Sequence, residues 1–410
     1  MIRKTIIGWL VMTILVSITY SSTTSQWRGP NRDGIYPEAN LLKKWPEAGP
    51  KLLWSIEGIG DGFGTVAVAN DKIYVAGMLG DEGYLFAYNS DGKLLWKTAY
   101  GPEWNGSYPG ARSTPIIVDG RLYIESGRGR VVCMNATNGK QFWAVDLVRT
   151  FNGRIPEWGF AESILIDGSR LICTPGGPGA SVVSLDRMTG KTIWVCKGNG
   201  DRPAYCSPAL IKHRKSRLIV TMMANSIIGL NADTGQFLWS HPHRTDYDVH
   251  ANTPIYHDGN VYCLSGYGTG GVMLNLASDG KKANEVWRNE TLDSQIGAVV
   301  LVNGYIYGSG HATRRWQCLD WQTGEVKYTS DERGKGNIIY ADGMLYCYDE
   351  SGRVLLVNAD PNAHRVVSSF KVVKGTDQHW AHMVIANGRL YVRHGNALMV
   401  YSIRKQDYSG

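Results

Sequence analysis

The chain has 410 residues, with 43 lysines and arginines against 36 aspartates and glutamates and a formal net charge of +7. The basic excess is spread thinly, without a basic run or basic helix, which excludes nucleic acid as a partner class. Length alone would suggest two or three domains, but an internal repeat overrides that expectation.

In chain order, Arg3 and Lys4 precede an apolar run from Ile6 to Ile18, followed by Ser21-Ser22-Thr23-Thr24-Ser25. This is the layout of a secretory signal peptide over residues 1–25. The run is shorter than the roughly twenty residues of a membrane-spanning helix, and no second run of the kind follows. The mature chain is therefore expected without a transmembrane helix, exported to the periplasm or beyond. No cysteine near the cleavage point offers a lipid attachment site. Residues 26–49 form an N-terminal extension, and residues 50–410 carry the repeat.

Each repeat ends in a turn, a short strand and an aromatic residue. Five copies place the aromatic four residues after a glycine: Gly92 to Trp96, Gly139 to Trp143, Gly190 to Trp194, Gly235 to Trp239 and Gly324 to Tyr328. Trp287 follows a longer turn, Phe370 a turn without glycine, and Trp54 stands at the start without its turn, which makes eight aromatics. A second element runs in step, a tight turn followed by an apolar strand centred on Tyr74, Tyr123, Ile172, Ile219, Tyr262, Tyr307, Tyr346 and Tyr391. Asp-Gly or Asn-Gly precedes six of these eight strands, and such dipeptides mark hairpins because both central residues need positive φ. About four short strands per repeat predict an all-β, eight-bladed β-propeller of four-stranded antiparallel blades. Trp54 then supplies the outer strand of a blade whose other three strands come from the C-terminus, so the chain ends close the ring.

The seven cysteines show no metal-ligand spacing. Cys133, Cys173, Cys263, Cys318 and Cys347 lie in alternating apolar strands as small buried hydrophobes, whereas Cys196 and Cys206 flank one loop and are the candidate disulfide pair.

The unit Asn-Ala-Asp-Thr-Gly-Gln-Phe-Leu-Trp at 231–239, with relatives at 135–143, 185–194 and 318–328, resembles the tryptophan-docking repeat of quinoprotein-type propellers. That family includes the pyrroloquinoline quinone (PQQ) dependent alcohol dehydrogenases and cofactor-free exported propellers. The start Gln26-Trp27-Arg28-Gly29-Pro30-Asn31-Arg32-Asp33-Gly34 also resembles the opening of exported bacterial members without an assigned activity. The resemblance implies the fold and a wedge role for the docking aromatics. The dehydrogenases carry an adjacent cysteine pair against the quinone, and no two cysteines here are adjacent. No cofactor and no metal is therefore expected, PQQ with calcium being the alternative that the dehydrogenases imply.

In a four-stranded blade the first-to-second and third-to-fourth turns share one face, and these are short. The other face receives the second-to-third loops and the long interblade connections such as Ala99–Arg112, Val148–Ala161 and Pro242–Asn252, where function is more often carried. Just before the innermost strands stand Asp61, Phe63, Arg112, Ser113, Glu162, Ser163, Tyr205, Ser207, His250, Asn252, Gln295, Lys335, His379 and His382. That ring is more polar than packing requires. The second-to-third loops add His311 and His394, and flat aromatics come from the Pro-Glu-Trp loops at Trp104 and Trp158 and from Trp380. The glycine-rich segments 175–179 and 266–271 open no helix and read as tight crossings rather than phosphate loops.

The candidate ligand-binding set is accordingly Arg112, Glu162, His250, Asn252, Gln295, His311, Lys335, His382, Trp104, Trp158 and Trp380. The expected function is a monomeric, exported, non-catalytic module that binds a polar small molecule, a carbohydrate or a protein partner there. The alternative is an enzyme of the same face acting on a carbohydrate or alcohol, with Glu162 or a histidine as acid/base and Arg112 and Lys335 stabilising negative charge.

Overall fold

The computed structural model describes residues 25–408, so the signal-peptide reading, apart from Ser25, lies outside the described residues. Eight blades of four antiparallel strands surround a central channel. Innermost strands are short, such as Ala67–Ala69, Ile116–Val118 and Val384–Ala386. The eight strands centred on Tyr74, Tyr123, Ile172, Ile219, Tyr262, Tyr307, Tyr346 and Tyr391 are the second strands of their blades. The turns that lead into them take two positive φ values where Asp-Gly or Asn-Gly stands, for instance 43° and 82° at Asp258-Gly259 and 50° and 82° at Asn303-Gly304.

The closing blade joins both parts of the chain as expected. Leu52–Glu57 is its outer strand, paired antiparallel with Ala397–Ser402 through Leu52 opposite Tyr401 and Glu57 opposite Ala397.

Buried apolar side chains gather between blades rather than in one centre. The described residues form seven clusters, six lying at single blade junctions and the seventh uniting the last two junctions with Tyr36, Leu41 and Trp45. The outer-strand aromatics stitch these junctions together. The indole Nε1 atoms of Trp54, Trp96, Trp143, Trp239 and Trp287 donate to backbone carbonyls of the next blade's turn, those of Ser90, Ala136, Arg187, Gly280 and Trp321, at 2.9–3.2 Å. The glycine of that turn is required twice over. Gly190 has φ of +74°, and a Cβ there would lie 2.9 Å from the Trp143 ring. Phe370 is seated in the same way on Gly49, which supplies the missing turn from the N-terminal side of the chain.

Cys196 and Cys206 are not paired. All seven cysteines are free and buried, and these two pack in different clusters, at the junctions on either side of the fourth blade. Burial pushes both thiols up, Cys206 to about 12.

Residues 25–45 do not trail from the ring. Ser25 bridges Ile117, Ile35–Tyr36 adds a short parallel strand against Tyr340–Ala341, and Leu41 bridges Arg404. Between these points the segment crosses the channel. The Arg28 guanidinium donates to the carbonyls of Asp33 at 3.0 Å and Val299 at 2.5 Å, and that of Arg32 to Ser163 at 2.5 Å and Ile164 at 3.0 Å.

Replacing one docking tryptophan should cost about 3–5 kcal/mol, because a large buried ring and its hydrogen bond vanish from a close-packed junction. Denaturant unfolding of Trp239→Ala measures it. Gly190→Ala should also destabilise, and an unchanged midpoint for both would show that the wedges do not hold the ring.

Candidate functional site

On the loop-rich face the interblade connections converge over the channel and enclose a cavity of about 240 Å³. Its floor is Trp27 of the crossing segment, whose Nε1 donates to Thr253 Oγ1 at 3.0 Å and whose ring meets His382 edge-on at 4.4 Å. Its walls are Phe63, Tyr108, Trp158, Tyr205, Tyr267 and Trp380, with Arg112, Gln295 and Ser207 as polar groups. Tyr247 braces the wall, 5.7 Å from Trp158 and 5.5 Å from Tyr267.

Tyr108, Tyr205, Tyr247 and Tyr267 all adopt left-handed backbone, with φ of 53°, 64°, 59° and 57°. That conformation is costly for a bulky residue, by about 1–3 kcal/mol each, and persists only where the surroundings dictate it. Here they do: Tyr267 OH accepts from Gln295 Nε2 at 2.7 Å, and Tyr205 OH accepts from the Trp158 amide at 3.3 Å.

The candidate residues divide into four groups. Arg112, Gln295, His382, Trp158 and Trp380 line the cup. Gln295 and Trp380 also border an adjoining hollow of about 420 Å³ with Tyr108, Arg314, Lys335 and Glu350. Lys335 Nζ donates to Gln295 Oε1 at 3.0 Å and His311 Nδ1 at 2.9 Å, and pairs with Glu350 Oε1 at 3.2 Å, so its three protons are all engaged. His311 stands behind it against Tyr267, its pKa lowered by burial and then by the Lys335 charge.

Glu162, His250 and Asn252 do not join them. Each is buried and hydrogen bonded within the wall. Glu162 accepts from the Thr174 amide at 2.7 Å and from the Thr174 hydroxyl. Burial raises its carboxyl, and burial followed by the charge of Glu162 raises that of Glu125 well above the ordinary value. His250 Nδ1 meets Ser265 Oγ at 2.6 Å and Nε2 meets the Ala224 carbonyl at 3.4 Å. Asn252 Nδ2 donates to the carbonyls of Leu264 and Ser294 at 3.2 and 2.8 Å. Trp104 sits apart, packed beneath Arg128, and His379 and His394 stack on each other at 3.6 Å away from the cup. Of the charged and polar candidates, Arg112, Gln295 and His382 thus line the cup, and Glu162, His250, His311 and Lys335 do not.

Trp27, Tyr108 and Tyr267 carry the cup without having been singled out from the sequence. Tyr267 lies inside the glycine-rich segment 266–271, and its flanking glycines were a signal of an unusual backbone. Trp27 gave none, since nothing local says that residues 25–36 return through the channel.

A family model described as outer membrane protein assembly factor BamB, built on PQQ-like repeats, matches residues 103–330, more than half of the chain. The chain belongs to this family. Among its relatives, an outer membrane protein assembly factor BamB of Kangiella koreensis is 27% identical over 219 residues, 52% of this chain and 50% of that protein. A quinoprotein ethanol dehydrogenase of Pseudomonas aeruginosa is 25% identical over 165 residues, 36% of this chain and 25% of that one. The chain thus spans half the length or less of these two relatives, and it stands nearer the assembly factors than the dehydrogenases. In structure, BamB from Moraxella catarrhalis superposes with a TM-score of 0.62 at 19% identity, covering 86% of this chain and 97% of that one, which bears on the fold alone.

The buried histidines give stability a pH dependence of defined sign. Burial holds His250 down at about 4 and His382 at about 3, against about 6.5 for an unperturbed ring. Between pH 6.5 and 4 the unfolded chain binds protons that the folded one refuses, so these groups make stability fall as pH falls through that window. His250→Gln should flatten the slope by about 1 kcal/mol per pH unit. Denaturant titrations at pH 7, 6, 5 and 4 check this, and an unaltered slope would show that His250 takes up its proton while folded.

Proposed function

We propose that this chain is an exported, non-catalytic binding module that holds a ring-bearing polar ligand in the aromatic cup on its loop-rich face. The observation that carries this reading is the wall of six aromatic side chains around a small hollow with few polar groups. Rings with fixed orientation and a handful of donors suit recognition of a carbohydrate or similar small molecule. Export follows from the signal-peptide layout of residues 1–25. Membership of a family described as an assembly factor supports a protein partner as well, docked on the outside of the ring while the cup stays open.

Binding rather than catalysis is favoured by where the reactive groups stand. Glu162 is enclosed by Thr174, both nitrogens of His250 are engaged, and Lys335 is saturated, so none is positioned to exchange a proton with a molecule in the cup. PQQ with calcium does not suit the donor set. The cup lining offers no carboxylate, whereas calcium takes about six to eight oxygen ligands. Among the described residues no three or more His, Cys, Asp or Glu side chains are arranged so as to hold a metal ion. The neighbouring ring pairs Trp158–Tyr205, Phe63–Trp380 and Tyr108–Trp380 are tilted at 39°, 46° and 50° and none of the three is stacked in parallel.

A thermal-shift screen with mono- and oligosaccharides, and with PQQ plus calcium, tests the reading. A saccharide at a hundredfold excess over Kd should stabilise the protein by about 2.7 kcal/mol, and Trp158→Ala and Trp380→Ala should remove the shift. Stabilisation by PQQ with calcium and by no saccharide would replace this reading with the dehydrogenase one.

A further inference from the structure

The cup carries one cation and no acid. Arg112 is the only charged side chain of its lining at neutral pH, since His382 is held neutral. Burial lowers the Arg112 guanidinium to about 10, which leaves it protonated. Its Nη2 donates to the carbonyls of Ser107 and Tyr108, while among the described residues Nη1 has no hydrogen-bond partner and Nε is buried without one. Among the described residues no carboxylate forms an ion pair with it. The acid whose charge acts most on it is Glu103, and that carboxylate is spent on the Tyr100 hydroxyl at 2.5 Å and on the amides of Trp104 and Gly127 at 2.9 and 2.8 Å.

Several other arginines of this protein are matched. Arg170, Arg187, Arg217 and Arg353 each pair with aspartates, and the fully buried Arg28 and Arg393 are surrounded by backbone carbonyls. Arg112 instead faces a cavity with part of its donor fork unassigned, in a setting of low polarity where an anion would interact strongly with it. A guanidinium fork suits the paired oxygens of a carboxylate or a sulfate. The tilted rings add a shape requirement. A bowl of aromatic faces matches the C–H faces of a puckered sugar ring better than it matches a flat one.

Resting on the reading that the cup holds a ring-bearing ligand, we infer that this ligand is an acidic sugar. It is a pyranose bearing a carboxylate or a sulfate ester, with its ring against Trp158 and Trp380 and its anion on Arg112. The adjoining hollow shares Tyr108, Gln295 and Trp380 with the cup and presents the largely exposed Arg314, 3.8 Å from Glu350. A second acidic unit of an oligosaccharide fits there.

Calorimetric titration of the full mature chain with trigalacturonate, a sulfated galactotriose and neutral galactotriose tests the inference. At least one acidic trisaccharide should bind about tenfold or more tightly than the neutral one, and its affinity should fall with added salt. Arg112→Gln should abolish the preference, and Arg112→Lys should keep part of it. Equal affinity for acidic and neutral sugars overturns the acidic assignment and leaves the ring-ligand reading standing, as does a preference that survives Arg112→Gln. No binding by any of the three overturns both. The comparison among sugars uses the unaltered protein, so it is decisive even where a variant fails to fold.

Discussion

The seating of an outer-strand indole on the next blade's turn is the contact on which the rest of this molecule depends. Packing between twisted sheets is largely non-directional, so burial alone would leave the angle between blades loosely set. A tryptophan Nε1 that must reach one carbonyl, as Trp143 reaches Arg187 at 3.1 Å, adds direction to that burial. The turn glycine completes the contact, because the ring rests where a Cβ would stand. With the angle held at successive junctions the ring closes, and the channel width follows from the closure.

Closure leaves eight sets of strand ends facing inward with backbone groups to satisfy. The N-terminal segment meets part of that need. Arg28 reaches the carbonyl of Val299 at the start of one inner strand and Arg32 those of Ser163 and Ile164 just before another, which ties two separated blades together through two buried cations. Trp27 of the same segment then closes the channel from below the loops. The cup exists because this floor is present. On the opposite side of the crossing segment a separate hollow is lined by Pro30, Asn31, Arg32 and the short-turn ends of the innermost strands at Lys212 and His257.

The strained tyrosines follow from the same architecture. Tyr205 and Tyr267 are held at positive φ in loops whose ends are anchored to rigid strands and whose hydroxyls are fixed by neighbours. Such conformations cluster where a surface must keep one shape. The cup therefore keeps its ring orientations without a ligand to induce them, and its polar groups are few enough for Arg112 to dominate its charge.

Much of the fold was legible in the sequence because a repeat states its own geometry many times over. Eight aromatic ends, eight hairpin strands and glycine at fixed offsets leave little freedom, and even the shared closing blade follows from Trp54 lacking its own turn. The face carrying the candidate cup could be told from the other in the sequence, since short uniform turns and long varied connections separate by blade topology. The individual site residues were legible only in part. Position before an innermost strand is shared by Arg112 and Glu162, yet one side chain faces the cup and the other is captured by Thr174. That choice rests on the rotamer and on a partner twelve residues on in the same blade, which no spacing in the sequence announces. Trp27 and Tyr267 reach the site through a segment returning across the channel and through a left-handed backbone. Periodicity by itself determined the blades, their number and their order, because strand pairing within a blade is local. Which polar groups are spent inside the wall and which face the hollow was decided by tertiary structure alone, since the partners of Glu162, His250 and Asn252 lie 12 to 42 positions away and are brought up only by strand pairing and blade packing.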